Sequence, residues 1–488
     1  MNLRGRAARG AAITGLSQGV RLLVQIGSVI VLSRLLEPAD FGLMAMAAPV
    51  FGFVMMFQDL GLTQATIQKN DITQAQVSAL FWVNLAASFV LAVAMVAAAP
   101  LVAMFYGDPR VENLVVAFGM LVLVAGLGSQ HMALLNRKMR FGALAAIDAS
   151  AVVCGFLAGV LFAQVNPSYW ALYVASLVTI AIPAVAAWIC TGWLPGAPRR
   201  AAEVRELLNF GAGITGFNFI NFFARNADNI MIGRVWGEHS LGVYDRAYKL
   251  LLLPLQQVSS PLGRVTQPIL SQLLDEPERY RRAYVKTLHQ MLLIVLPGVA
   301  FMIGTSDILV PTLLGQKWVE AAAIFSALGF AAILQPVNNT TGWLFISQAR
   351  GKDYFQGGLF GTCMAVLGML AGLPWGAFGV AVGYAVSEYL KTPVIWWWAT
   401  RKGPVALRDL AGASFVHLAG VAVSLAAIMV LRRAFEGGPF ETMLLCLVAA
   451  YAVAFGTVFS FASGRAAIGE SMALLQSGLG VVAKRRPH

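Results

Sequence analysis

The stretch "IVLSRLLEPADFGLMAMA", Ile30 to Ala47, returns as "IMIGRVWGEHSLGVYDRA", Ile230 to Ala247, at a constant offset of 200 residues. In each copy an Arg closes an apolar run, a short polar break follows, and a Gly opens the next run. Ile30/Ile230, Arg34/Arg234, Gly42/Gly242 and Ala47/Ala247 are identical, while Leu32/Ile232, Leu35/Val235, Phe41/Leu241 and Leu43/Val243 are similar. The runs that follow also end alike, "LTQATIQ" from Leu62 against "VTQPILSQ" from Val265. A chain that repeats itself at this distance is built from two related halves.

The composition says what the halves are made for. Hydrophobic residues are 58% of the 488 and charged residues 12%, against about half and about a quarter in soluble domains. Apolar runs of roughly 20 residues recur along the chain, each long enough as a helix to cross the hydrocarbon layer. The runs do not alternate, and backbone groups in lipid must be satisfied within the segment, so they are read as helices rather than barrel strands. The count predicts 14 spans, including 206–235 and 241–270 in the second half. The first run holds Arg21 and is not followed by a small-residue cleavage site, so it is read as a span and not as a removed leader.

The net charge of +12 raises nucleic acid as a partner, but its distribution argues against one. Most Lys and Arg fall in every second loop, as Arg4, Arg6, Lys69, Arg137, Lys138, Arg199, Arg200, Arg281, Arg350, Arg401 and Lys402 do, whereas Arg34, Arg110, Arg234, Lys317, Arg432 and Arg433 take the other side. The positive-inside rule then predicts both termini in the cytoplasm. Cys154, Cys190, Cys363 and Cys446 lie in apolar runs, where a buried thiol behaves as a small hydrophobe, and they show neither a disulfide framework nor a metal spacing.

An even number of spans between the repeats makes them parallel, related by an axis along the membrane normal with a substrate site between them. The predicted domains are an N-terminal lobe of six helices over 1–190, a linker over 191–205, a second six-helix lobe over 206–400, two further helices over 401–463 and a basic tail over 464–488. No loop has room for a catalytic domain, and neither a phosphate-cradling loop nor a nucleophile elbow is present, so the reading is a transporter and not an enzyme, with no metal and no cofactor.

Polar residues inside the spans mark candidate positions. Gln18, Arg21, Gln25 and Ser28, with Thr14 before them, recur at steps of three and four on one face of the first helix. At the same register 200 residues on stand Asn218, Asn221, Arg225 and Asp228. Arg246, Lys249 and Lys391 extend the set of cavity candidates, and Asp59, Arg264 and Glu388 are candidates for coupling or gating. Neutral side chains of this kind also glue helices together. An ionised one must face water or a partner, because at the bilayer centre it costs at least ~2.5 kcal/mol. Five His, at 131, 239, 289, 417 and 488, show no ligand spacing and are read as structural.

The segments "LSRLLEPADFGLMAMA", "FQDLGLTQATIQ" from Phe57 and "NADNIMIGRVWGEHSLGVYDRAYKL" from Asn226 resemble the polysaccharide transporter family of the multidrug/oligosaccharidyl-lipid/polysaccharide exporter superfamily. The resemblance spans about residues 10–400. It implies a V-shaped pair of six-helix lobes working by alternating access in the bacterial inner membrane, and a cargo of undecaprenyl-pyrophosphate-linked oligosaccharide with the prenyl tail left in lipid. Membrane lipids and a polysaccharide polymerase are the partners it suggests. Members often have 12 spans, so helices 13 and 14 depart from the pattern. The rival is a multidrug cation antiporter of the related efflux branch. The two require opposite cavity charge, and the candidate spans hold six cations against four acids, Arg21, Arg225, Arg246, Lys249, Arg264 and Lys391 against Asp59, Asp228, Asp245 and Glu388.

Overall fold

The computed structural model describes residues 3–58, 62–68, 71–197, 222, 226–461, 464–465 and 469, with backbone only for 3–17, 65 and 68. The described residues are helical throughout, joined by tight turns, as long apolar runs require. They form α1 (Leu3–Leu35), α2 (Pro38–Gln58), α3 (Leu62–Gln68), α4 (Gln74–Tyr106), α5 (Pro109–Arg137), α6 (Phe141–Val165), α7 (Tyr169–Thr191) and α8 (Ala227–Gln272). Then come α9 (Pro277–Gly304), α10 (Ser306–Leu314), α11 (Val319–Ser347), α12 (Gly351–Gly372), α13 (Gly376–Thr400), α14 (Leu407–Ala434) and α15 (Pro439–Ser460). The fold class is the expected all-α polytopic membrane protein.

Among the described residues, eleven stretches are long and apolar enough to cross a membrane, and one of them, Gly351–Thr400, is the two helices α12 and α13. Two of the 14 predicted spans are not among the eleven. Most of 206–235 lies outside the described residues. The span 241–270 is helical but carries Asp245, Arg246, Lys249, Arg264 and three Pro, at 254, 261 and 268.

The chain divides into two compact units, 1–245 and 246–488. In the first, α1 packs on α6, α4 on α5, α6 on α7, and α5 on α7. Within the second, α9 packs on α11, α12 on α13, and α11 on α13, so the α4/α5, α6/α7 and α5/α7 pairings of the first unit recur. Small residues let the partners approach. A Cβ on Gly155 or Gly159 of α6 would press on the carbonyls of Ala175 or Ala171 in α7. In the second unit Gly368 and Gly372 of α12 lie against the backbone of Gly383 and Gly379 in α13.

The turns repeat as well. Met139 and Ala349 both take a left-handed conformation, with φ of 50° and 54°, at the ends of α5 and α11. The next residue is Arg in each, and its backbone N–H reaches back to a helix carbonyl, Arg140 to Leu135 at 3.0 Å and Arg350 to Phe345 at 2.9 Å. Both guanidinium groups then close the far end of their unit's helical hairpin. Arg140 donates to the Cys190 carbonyl at 2.6 Å, and Arg350 to those of Ala399 at 2.8 Å and Trp398 at 3.0 Å. Orphan carbonyls at helix ends find partners this way.

The helical segment up to Asp245, read from the sequence as part of the second lobe, packs within the first unit. At Gly237 the chain adopts φ 78°, which splits α8 into two helical stretches. A Cβ on Gly42 would run into the carbonyl of Glu238, and one on Gly242 into the carbonyl of Pro38. Since 38 and 238, and 42 and 242, correspond at the sequence offset, the two contacts are images of each other. The repeat read from the sequence is therefore a local two-fold arrangement of the segments around Gly42 and Gly242. Of the thiols, Cys446 is buried, whereas Cys154 and Cys363 lie on exposed faces, which corrects the expectation of buried cysteines.

Candidate functional site

The polar face of α1 is accessible. Gln18, Arg21 and Gln25 are exposed and Ser28 is half-buried, on a helix that packs against α6. There Asp148 lies close enough to feel the charge of Arg21. The Thr14 side chain lies outside the described residues, as do Asp59, Asn218, Asn221 and Arg225, so the matching register on the second repeat is visible only at Asp228. That carboxylate is 5% exposed and accepts hydrogen bonds from the Tyr244 hydroxyl at 3.1 Å and from the Asn229 N–H at 2.8 Å. It braces the two stretches of α8 rather than facing solvent.

Asp108 and Glu238 hold Arg110 between them. Arg110 donates to Asp108 at 2.7 Å and to Glu238 at 2.9 Å, beside the glycine crossing. Burial alone would raise the Asp108 carboxyl, but hydrogen bonds and charge attraction from Arg110 outweigh it and hold the carboxyl below the usual range.

Within the second unit, Lys249 and Arg264 are exposed on α8, as are Gln256 and Ser260, while Arg246 is half-buried. Glu388 and Lys391, one turn apart on α13, are buried and form an ion pair at 2.7 Å. Asn338 of α11 donates to the second oxygen of Glu388 at 3.0 Å and to Thr392 at 2.9 Å, and the Trp396 indole donates to Asn338 at 3.0 Å. Charge in an apolar helix is tolerated when it is paired and hydrogen-bonded in this way. Through Asn338 the pair on α13 is tied to α11.

A second buried pair had no signal in the sequence. His289 of α9 and His417 of α14 meet Nδ1 to Nε2 at 2.9 Å, and both are buried. Their separation of 128 residues is invisible to any local spacing rule. The contact ties the first of the two helices beyond the predicted lobes to α9. Among the described residues, no group of three or more His, Cys, Asp or Glu is placed to hold a metal ion.

These features define an α-helical multi-pass membrane protein with a transporter fold. The structure aligns with the inward closed conformation of the lipid II flippase MurJ at a TM-score of 0.74 and 11% identity, covering 92% of this chain and 99% of that one. It also aligns with an inward-facing multidrug resistance MATE family transporter of the MOP superfamily at a TM-score of 0.60 and 14% identity, over 78% and 93% of the two chains. The family described as polysaccharide biosynthesis protein matches residues 31–323, and the chain belongs to it. Among its relatives are the lipopolysaccharide biosynthesis protein WzxC of Escherichia coli K12, 24% identical with 80% of each chain covered, and the teichuronic acid biosynthesis protein TuaB of Bacillus subtilis 168, 25% identical over 71% of this chain and 72% of that one. The succinoglycan biosynthesis transport protein ExoT of Rhizobium meliloti 1021 is 24% identical over 63% of each.

Proposed function

We propose that the protein is a flippase that carries undecaprenyl-pyrophosphate-linked oligosaccharide across the bacterial inner membrane by alternating access, with both termini in the cytoplasm. The observation that carries this reading is how burial sorts the charges of the candidate spans. Among the described residues Arg21, Lys249 and Arg264 are exposed and Arg246 is half-buried, whereas Asp228, Asp245 and Glu388 are buried, as is Lys391, which pairs with Glu388. Counting residues left a surplus of only two positive charges; that the exposed members of the described set are cations supports an anionic cargo. A cation cargo would need the reverse, and so the efflux alternative is disfavoured. A guanidinium can offer a pyrophosphate two parallel hydrogen bonds, and its attraction for the anion is far stronger in a low-dielectric layer than in water. The names of the relatives, which concern lipopolysaccharide, teichuronic acid and succinoglycan, agree in pointing to polysaccharide assembly.

Two measurements test the reading. In a deletion strain complemented with variants of equal membrane level, Arg21→Ala combined with Arg225→Ala is expected to abolish surface glycan, while Arg225→Lys, which keeps the charge but loses the planar fork, keeps part of it. Full glycan output from the double alanine variant would remove both residues from the cargo path. For the topology, reporter fusions after Lys69, Arg200 and Arg350 are each expected to report the cytoplasm; a periplasmic signal after Arg200 would overturn the arrangement of two parallel halves.

A further inference from the structure

The first unit contains an apolar groove of 340 Å³ between α2 and α4, closed on one side by α8. Its walls include Pro49, Phe53, Leu101, Val102, Phe105 and Ile230. The α4 contribution follows helical spacing along one stripe, so the groove runs along the helix for about 12 Å. Pro49 sits inside α2 and Pro100 inside α4. Each lacks a backbone donor, so each removes one hydrogen bond from its helix beside the groove. Leu101 is 67% and Phe105 45% exposed, so the groove is open along α4.

Its end is marked by charge. The Arg234 guanidinium lies over the Phe105 ring at 5.8 Å, while Arg110, at the start of the next helix after the Gly107–Asp108 turn, is already paired with Asp108 and Glu238, which leaves Arg234 as the cation of this end. Arg234 is exposed, and a guanidinium held over a ring by cation–π attraction can still donate its N–H groups to an anion. By the loop-charge argument, this end faces the outer leaflet.

We propose that this groove seats the proximal isoprenoid units of the cargo's polyprenyl chain on the outer side, with the pyrophosphate held by Arg234 at its mouth. The proposal rests on the flippase reading and names a contact for the part of the cargo that a polar cavity does not hold. In lipid there is no hydrophobic gain in moving a tail from bilayer to groove, so selection must come from shape and from the headgroup. A methyl-branched chain is thicker than a polymethylene one. It has more atoms per unit length to make dispersion contact with the aromatic and β-branched side chains of the walls than a straight acyl chain has. The diphosphate offers the oxygens that a guanidinium fork binds in pairs.

The test uses the full-length protein in phosphatidylethanolamine and phosphatidylglycerol vesicles containing undecaprenyl diphosphate as the probe. A benzophenone amino acid placed at Leu101 is irradiated and the adducts are identified by mass spectrometry; the same group at Leu157, exposed on α6, is the control. The expected result is an isoprenoid adduct enriched at Leu101 over Leu157 and lost when Arg234→Glu is added. Phospholipid adducts alone, or equal isoprenoid labelling at both positions, would overturn the proposal. In cells Ala98→Trp, which fills the groove, is expected to lose most glycan output at normal membrane level, and unchanged output would count equally against it. Failure of the flippase reading shows separately, as a deletion strain that still makes its surface glycan.

Discussion

Ala in place of Gly42 or Gly242 is expected to abolish glycan export and to lower the melting temperature of the purified protein. Each glycine lies where the helix starts at 38 and 238 cross, and an added methyl group meets backbone rather than a side chain that turns away. Gly42 faces the Glu238 carbonyl, and Gly242 faces the Pro38 carbonyl and the Gly42 nitrogen. Backbone cannot rotate aside, so the crossing must open, and overpacking of this kind costs typically about 1–3 kcal/mol. Because the two contacts are images of one another, either substitution parts the same pair of helices. The double variant should therefore lose much less than the sum of the singles, the sub-additivity that marks a shared contact. Gly412 supplies the control: nothing lies within 4 Å of its added Cβ, and Ala there should be neutral or mildly stabilising because alanine suits a helix better. Normal export and melting for Gly42→Ala, or fully additive losses in the double variant, would show that the crossing is not a tight symmetric contact.

The match between 30–47 and 230–247 was legible because close backbone approach demands glycine at both copies, and that demand survives when neighbouring side chains drift. The helices were legible for a similar reason, since nothing but an apolar run satisfies its own backbone in lipid. The turns at Arg140 and Arg350 were not. Their surroundings, "KMRFG" and "QARGK", share the central Arg alone at matched positions, because a left-handed turn and a guanidinium reaching carbonyls constrain the backbone more than the residue types. Nor was the division of the units at Asp245 visible, since it depends on the Gly237 break and on which helix the following segment meets.

Legibility of the candidate site was uneven. Arg21 with Gln18 and Gln25 stood on one face by spacing alone, and the structure leaves all three accessible. By contrast Asp228 shares the register but is buried under Tyr244, a partner 16 residues away that no periodicity identifies. Spacing assigns a side chain to a face of its helix. Whether that face meets water or another helix is a tertiary fact, and it turned a near balance of charges into an accessible cationic set.

Lys391→Ala is expected to be among the most damaging single substitutions in the second unit, and Glu388→Ala to match it. Each removes one member of an ion pair whose Lys391 side chain is 11% and Glu388 side chain 4% exposed, leaving the other charged and buried in a membrane helix. Breaking such a pair costs about 3–5 kcal/mol, and little water is at hand to compensate. The loss spreads, because Glu388 also anchors Asn338, and Asn338 holds Thr392 and Trp396. Membrane level and melting temperature should therefore fall in both singles. The informative variant is Glu388→Gln with Lys391→Met, which removes both charges, keeps an acceptor for Asn338 and preserves volume; its melting temperature should recover most of the loss. Glycan output of that double variant then separates the two assignments open to these residues. If the pair only joins α11 to α13, export returns with stability. If Glu388 carries a coupling ion or Lys391 touches cargo, the protein accumulates normally and export stays lost. A double variant as unstable as the singles would show that the cost lies in the packing of α13 and not in an uncompensated charge.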